Sequence, residues 1–163
     1  RLISVRVDTV DVGDGRRVQR EVVEHPGAVV MAPVDDQGRL LLVRQYRHAA
    51  GEELLELPAG TLEPDEAPEA TARRELREET GFAAQRWTPM GGFYTAPGFS
   101  DEYLHFFIAR DLRPDPRPRD PDEQIELVAV PLDRATDLVR SGEIKDAKTI
   151  AGLLLLQLAK ETC

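Results

Sequence analysis

Residues 60–82, GTLEPDEAPEATARRELREETGF, form the stretch around which the rest of the chain is organised. Pro68 suits the first turn of a helix, where its missing N–H is not needed, and Gly81 is the usual residue for a left-handed C-terminal cap. The pattern therefore predicts a loop that begins at Gly60 and a helix that runs from about 68 to 80.

Three glutamates share one face of the predicted helix. Glu75, Glu78 and Glu79 stand at i, i+3 and i+4, which brings their carboxylates together at about 3.6 residues per turn. Like charges at this spacing destabilise an isolated helix by a few tenths of a kcal/mol per pair, so a positive group is expected beside them. Arg74 can orient one of these carboxylates, because it precedes Glu75 and stands four residues before Glu78.

An ordinary solvated helix face is the alternative. In that case the carboxylates would have only intrahelical partners, namely Arg73, Arg74 and Arg77. The helix carries Leu76 as its only large apolar residue, however, and so lacks the broad core-facing stripe that would explain its place in a fold. Carboxylates beside a glycine loop make instead a hard-oxygen site of the kind that Mg²⁺ or Mn²⁺ prefers. Such an ion bridges phosphate oxygens and lowers the pKa of a bound water.

The composition indicates one globular domain and argues against two classes of partner. The chain has 163 residues and a net charge of −9, which gives no electrostatic footprint for nucleic acid or for an anionic membrane. Its longest apolar-rich run, 149–159, is shorter than the roughly 20 residues of a membrane span. Cys163 is the only cysteine, so an internal disulfide is impossible and a reducing cytoplasm is the natural compartment.

Periodicity predicts strands and helices in an order typical of a mixed α/β layered domain. The first 46 residues read as successive antiparallel strands, and a proline-rich loop is predicted from about 111 to 122. The predicted strands cover about 2–11, 17–24, 27–33, 39–46, 53–57, 84–94, 103–110 and 125–131. Two further helices are predicted at about 132–141 and 147–160.

The central stretch resembles a complete Nudix box over residues 60–82. The matching positions are Gly60, Glu66, Arg74, Glu75, Leu76, Glu78, Glu79, Gly81 and Phe82. The resemblance implies a hydrolase that cuts a nucleoside diphosphate linked to another moiety. It also implies that residues 1–163 are one domain with an α/β/α sandwich around a mixed sheet, preceded by an N-terminal antiparallel strand region.

Four segments outside the box resemble the ADP-ribose pyrophosphatase branch of this family. They are residues 20–25, 43–47, 56–60 and 97–102, and agreement with the branch extends from about residue 20 to residue 160. The resemblance implies hydrolysis of ADP-ribose to AMP and ribose 5-phosphate with Mg²⁺ as cofactor and Mn²⁺ as the alternative. Hydrolysis of another sugar nucleotide or dinucleotide, and a nucleotide sensor that binds without cutting, are the alternatives.

The resemblance also implies a set of metal ligands and a general base. The Ala59 carbonyl, Glu75 and Glu79 would bind the metal, with Glu78 as a further or alternative ligand. The general base of the family usually comes from an acidic loop after the box, and Glu123 matches that position best. Glu126 is the second candidate for the base.

Substrate contacts carried over from the resemblance lie outside the box. Arg47 would face the diphosphate, and an arginine fork suits phosphate oxygens better than the alternative role of a surface residue at a strand end. Gly98 would let the backbone approach the substrate. Glu21 is a candidate contact to adenine or ribose, and Glu102 is a more distant polar contact.

The resemblance further implies a homodimer in which the N-terminal strands, about 1–24, cross to the partner.

Trp87, the only tryptophan, is predicted to lie in the core because it follows the helix. Ala67 stands where an N-capping side chain is usual, so the helix start is predicted to lose about 1 kcal/mol of stability.

Overall fold

The computed structural model describes residues 3–118 and 124–160, so the predicted base Glu123 lies outside the described residues. Nine strands and three helices are present in these two ranges. In chain order they are β1 (Ser4–Asp11), β2 (Arg17–Glu24), β3 (Ala28–Pro33), β4 (Arg39–Arg47), β5 (Glu52–Glu56), β6 (Ala59–Thr61), α1 (Pro68–Thr80), β7 (Phe82–Tyr94), β8 (Tyr103–Pro114), β9 (Glu126–Pro131), α2 (Ala135–Ser141) and α3 (Ala147–Lys160).

Two sheets and two flanking helices form the body of the fold. The larger sheet has the order β6-β3-β8-β7 and is mixed, because β3 and β8 run parallel whereas the other neighbours are antiparallel. The smaller sheet, β5-β4-β9, is antiparallel. The predicted α/β/α sandwich around a mixed sheet is confirmed.

Strand β3 lies at the centre because it is apolar on both faces. Val29 and Met31 belong to a core cluster with Ala72 and Leu76 of α1. The alternate residues of β3 belong to a second cluster, which includes α3 and the smaller sheet. A strand buried on both faces reads as a continuous apolar run, and this run was predicted correctly as a buried strand.

The predicted succession of antiparallel strands is wrong beyond β2. Strand β3 pairs in parallel with β8, and β4 belongs to the other sheet. The apolar pattern reports how deeply a strand is buried but does not report its neighbours, which explains the error. The predicted loop at 111–122 is also shorter than expected, since β8 pairs with β7 as far as Pro114, at the end of the strand where proline is tolerated.

Helix α1 has the predicted ends. Ala67 is the N-cap residue and provides no side-chain cap, whereas Gly81 ends the helix in the left-handed conformation with φ 78°. Leu76 is the only large apolar residue among the buried residues of this helix, which are Thr71, Ala72, Leu76, Glu79 and Thr80. Trp87 packs partly buried against this face, which agrees with the prediction that it belongs to the core.

Helix α3 closes the opposite face of the larger sheet through a glycine. A Cβ atom added at Gly152 would stand 2.5 Å from Leu57 Cδ1 and 2.8 Å from Phe106 Cε2. An added methyl group at this position would therefore require the buried side chains of Leu57 and Phe106, or the helix itself, to shift. None of the helices in the described ranges is long and apolar enough to cross a membrane.

Strands β1 and β2 form a hairpin with two unlike faces. On one face Arg6 pairs with Asp8 and Glu24. On the other, Val5 and Val7 are 65% and 55% exposed. An exposed apolar strand face of this kind is unusual in a domain that stands alone.

Candidate active site

The box residues line a cavity of about 900 Å³, which we call the box cavity. Six acidic side chains face it against two basic ones, so its wall is strongly negative. Its lining comprises Pro26, Gln45, Arg47, Ala59, Gly60, Thr61, Leu62, Glu63, Pro64, Asp65, Glu66, Arg74, Glu75, Glu78, Glu79 and Pro118. The three box glutamates, Ala59 and Arg47 thus line one cavity.

Gly60 allows the carboxylate of Glu75 to lie directly on the backbone of β6. A Cβ atom at residue 60 would stand 2.0 Å from Glu75 Cδ and 2.2 Å from its Oε1. No side chain fits this gap. The first glycine of the box is therefore required for the position of Glu75.

Arg74 is the positive group that the helix face needs. Its Nη1 donates to Glu75 Oε1 at 2.8 Å and to Glu78 Oε2 at 3.0 Å, while Nη2 donates to Glu66 Oε2 at 3.1 Å. Burial lowers the pKa of Arg74, but the hydrogen bonds to Glu66 and the charge of Glu75 outweigh this effect and raise it. The pKa of Glu66 is lowered, chiefly by the hydrogen bond from Arg74.

Glu79 is anchored by the backbone of β6. Its side chain is buried, and Oε2 accepts the backbone N–H of Ala59 at 3.0 Å. In the described part of the chain no three His, Cys, Asp or Glu side chains stand in a metal-ligating arrangement.

The donor set nevertheless fits a hard divalent cation. Carboxylates and a backbone carbonyl are the ligands that Mg²⁺ and Mn²⁺ prefer. The single guanidinium of Arg74 offsets only part of the charge of the carboxylates around it, so the cluster retains a capacity for added positive charge.

Arg47 lines the box cavity and also pairs with the buried carboxylate of Glu56. Its Nε donates to Glu56 Oε1 at 2.9 Å and its Nη2 donates to Glu56 Oε2 at 2.7 Å. Glu56 is 1% exposed and also contacts Lys148 of α3. Burial raises the pKa of Glu56, whereas the hydrogen bonds and charges of Arg47 and Lys148 lower it by more. The pKa of Glu56 therefore lies below its usual value. The pKa of Arg47 is raised, chiefly by its hydrogen bonds to Glu56.

Sequence reasoning missed the pair of Glu56 and Lys148. The available signal was the single acid in the apolar run from Leu54 to Leu57, since a buried carboxylate requires a partner. Nothing in the local pattern indicates which of the distant cations would provide it.

Glu21 and Gly98 meet in a separate pocket of about 510 Å³, which we call the hairpin pocket. It is lined by Arg20, Glu21, Val22, Tyr94, Pro97, Gly98, Phe99, Ser100 and Asp101, and it shares no residue with the box cavity. A Cβ atom added at Gly98 would have no neighbour within 4 Å, so the backbone there is open to approach.

Glu102 lies near the hairpin pocket without lining it. It accepts a hydrogen bond from Thr95 Oγ1 at 2.6 Å, and Oε1 stands 3.6 Å from His25 Nδ1. The second candidate base, Glu126, is exposed, pairs with Arg44 at 3.7 Å, and is not among the residues that line the box cavity. Pro118, at the end of the first described range, does line that cavity.

Comparison with known proteins adds a family and several relatives. The NUDIX domain family matches residues 23–153. The chain is 43% identical over 160 residues to the ADP-ribose pyrophosphatase of Bacillus subtilis, covering 97% of this chain and 86% of that protein. It is 38% identical over 155 residues to the GDP-mannose pyrophosphatase of Salmonella paratyphi B, covering 89% and 81%. A solved structure of an ADP compounds hydrolase superposes with a TM-score of 0.80 at 24% identity, covering 99% of this chain and 96% of that one.

Proposed function

Since this chain belongs to the Nudix family, we propose that it hydrolyses the diphosphate of ADP-ribose and releases AMP and ribose 5-phosphate. Its similarity to an ADP-ribose pyrophosphatase over nearly the whole chain supports this substrate. The complete box, folded around one cavity, supports the reaction type.

The charge of the box cavity is the observation that carries the proposal. Six carboxylates and two guanidinium groups line a space that must receive a negatively charged diphosphate. Such a wall repels the substrate unless divalent cations bind first. A bound Mg²⁺ or Mn²⁺ would neutralise the phosphate oxygens and make water a better nucleophile.

We assign the metal ligands to Glu75, Glu78, Glu79 and the Ala59 carbonyl. Arg74 holds Glu75 and Glu78 at the cavity wall, where their ion pairs keep both side chains ordered. The backbone N–H of Ala59 fixes the carboxylate of Glu79 next to the Ala59 carbonyl. Arg47, which lines the same cavity, would bind the diphosphate.

Glu123 remains our proposal for the general base, since the family pattern matches it best. Pro118, five residues before it in the sequence, lines the box cavity, which supports this proposal. A carboxylate in this role would accept the proton of the attacking water.

The hairpin pocket is our proposal for the nucleoside end of the substrate. It contains Glu21, for a polar contact to adenine or ribose, and the open backbone at Gly98, with Glu102 nearby. We propose that residues 1–24 form a homodimer through the exposed apolar face of the hairpin. The cytoplasm is the compartment we propose for the protein.

Glu79→Gln tests the proposed metal site. The substitution should lower kcat for Mg²⁺-dependent release of AMP by about 10³-fold and leave the protein folded by circular dichroism. Glu69→Gln is the matched control, because Glu69 is an exposed residue of the same helix and pairs with Arg73 at the surface. Full activity of Glu79→Gln would contradict the site assignment.

Glu123→Gln tests the base. It should lower kcat by about 10²-fold or more with little change in KM. Glu126→Gln serves as the control and should be close to wild type. Unchanged kcat for Glu123→Gln would move the base to Glu126 or to a box glutamate.

A second candidate substrate is another nucleotide sugar, which the similarity to a GDP-mannose pyrophosphatase favours. Initial rates with ADP-ribose, GDP-mannose and a dinucleotide, each with and without Mg²⁺, would distinguish the substrates by kcat/KM. Binding of ADP-ribose without release of AMP would identify the protein as a sensor and overturn the proposed hydrolysis.

A further inference from the structure

Glu56 is a buried carboxylate that the proposed chemistry leaves without a role. Its side chain is 1% exposed, lies at the end of β5, and is not among the residues that line the box cavity. A buried carboxylate is unfavourable unless cations and hydrogen bonds surround it. One placed behind the wall of an already acidic cavity would also oppose the binding of an anion.

The contact with Arg47 explains why a carboxylate is placed there. A guanidinium group has five N–H donors on three edges. Glu56 takes two of them, on the edge formed by Nε and Nη2. The terminal edge, formed by Nη1 and the second N–H of Nη2, keeps two parallel donors that match a phosphate group. Arg47 itself lines the box cavity.

Two consecutive residues of α3, Lys148 and Thr149, contact Glu56 and the residue that follows it. Lys148 contacts Glu56 and stands 3.0 Å from Asp146 Oδ2. Thr149 is fully buried, and its Oγ1 accepts the backbone N–H of Leu57 at 2.8 Å. The end of β5 is thereby fixed at Glu56 and at the next residue.

We propose that Glu56 is a positioning residue for diphosphate binding. It binds one edge of the Arg47 guanidinium and so directs the terminal edge into the box cavity. Lys148 supplies the second cation that stabilises the buried carboxylate. The identity of the ligand as a diphosphate rests on the proposed function.

A double-mutant cycle tests this role. The probe is α,β-methylene ADP, whose diphosphate cannot be hydrolysed, and its Kd in the presence of Mg²⁺ is measured by calorimetry for wild type, Arg47→Met, Glu56→Gln and the double variant. Each single variant should raise Kd about tenfold, and the double variant should bind no more weakly than Arg47→Met alone. Losses that multiply to about a hundredfold would show that Glu56 acts independently of Arg47 and would overturn the proposal.

Glu56→Asp covers the case in which Glu56→Gln does not fold. It keeps the charge that Lys148 needs but is one methylene too short to reach both nitrogens of Arg47, so the same tenfold loss should appear and should vanish in the Arg47→Met background. Wild-type affinity of a folded Glu56→Asp would overturn the proposal. Glu52→Gln is the matched control, because Glu52 lies on the same strand and pairs with Lys145 at the surface, and it should leave Kd unchanged.

Hydrolysis of ADP-ribose by the wild type is measured alongside. Release of AMP together with multiplying losses would leave the proposed function intact and remove the role of Glu56. Coupled losses of affinity in a protein that releases no AMP would support the role of Glu56 and overturn the proposed hydrolysis.

Discussion

The box cavity and the hairpin pocket differ in how completely one chain builds them. The box cavity is lined by charged side chains that form ion pairs within the fold, such as Arg74 with Glu75 and Arg47 with Glu56. The hairpin pocket has exposed aromatic residues at its edge, since Tyr94 and Phe99 are 58% and 61% exposed. Beside it lies a hairpin with an uncovered apolar face.

This difference separates the chemistry from the recognition of the substrate. Electrostatic attraction of metal and diphosphate requires groups fixed before the ligand arrives, and the ion pairs of the box cavity provide that order. Recognition of a nucleoside requires apolar contact, and exposed aromatic rings gain from a further surface that covers them. We therefore expect changes in the box cavity to affect kcat and changes around the hairpin pocket to affect KM.

Among the changes that compare the two sites, Gly60→Ala should give the largest effect. The added Cβ atom would overlap Glu75, whose Cδ atom would stand 2.0 Å away, and must displace its carboxylate by more than 1 Å. A displacement of that size costs about 10²-fold in kcat. Gly98→Ala is the matched substitution in the hairpin pocket, where the Cβ atom meets no neighbour, and it should change KM by only a few-fold. Steady-state kinetics of the two variants measures both effects. A larger loss of kcat in Gly98→Ala than in Gly60→Ala would contradict the expected difference between the two sites.

Glu56→Gln should destabilise the protein by about 3 kcal/mol at pH 7, because two buried or half-buried cations lose their common partner. The pKa of Glu56 is lowered from its ordinary value of 4.5. Its contribution to stability is therefore complete above that value and is lost as the pH falls through the lower pKa of the folded state.

Urea unfolding of wild type and Glu56→Gln at several pH values measures this effect. The difference in the free energy of unfolding should stay constant above about pH 5 and narrow below 4.5. A difference that grew at low pH would contradict the assigned direction of the pKa shift.

The double substitution Val5→Asp with Val7→Asp should affect the hairpin pocket alone. Charges on the exposed apolar face would oppose the proposed dimer, so light scattering should report a monomer. We expect KM for ADP-ribose to rise about tenfold with kcat within about twofold of wild type. Asp8→Asn, on the charged face of the hairpin, is the control. A monomeric wild type that cleaves ADP-ribose would remove the proposed role of the partner.

Ala67→Ser should have the smallest effect and should touch neither site. A serine at this N-cap position can accept a backbone N–H that has no side-chain partner now, which should add about 1 kcal/mol to the free energy of unfolding. Ala67→Gly should add less than the serine by only a few tenths of a kcal/mol, because glycine is nearly as favourable as serine at an N-cap. Thermal unfolding measures both variants, and a change in kcat would show that the helix start is coupled to the box cavity.

Local patterns allowed the box and its helix to be predicted from the sequence. Pro68 and Gly81 mark the two ends of α1, and the spacing of Glu75, Glu78 and Glu79 places them on one face without reference to the rest of the chain. The prediction that Arg74 orients carboxylates also follows from spacing within one helix, and the structure bears it out.

Features that depend on contacts between distant segments could not be predicted in this way. The sequence shows that β3 is buried on both faces. It does not show that β8 is the parallel neighbour of β3. The contact of Lys148 with Glu56 spans 92 residues, and many other cations were available. Glu21 and Gly98 were assigned from family resemblance, and the pocket that they share became visible only in the structure.

The close approach of α3 through Gly152 has a consequence for how the protein tolerates mutation. Alanine in a helix interior is normally more stable than glycine by about 1 kcal/mol, so a comprehensive mutational scan would ordinarily record such a change as harmless. Here the added methyl group would push α3 from the sheet and carry Lys148 and Thr149 away from the end of β5. Gly152→Ala would then score as a loss of function at a position that has no polar side chain and does not line the box cavity.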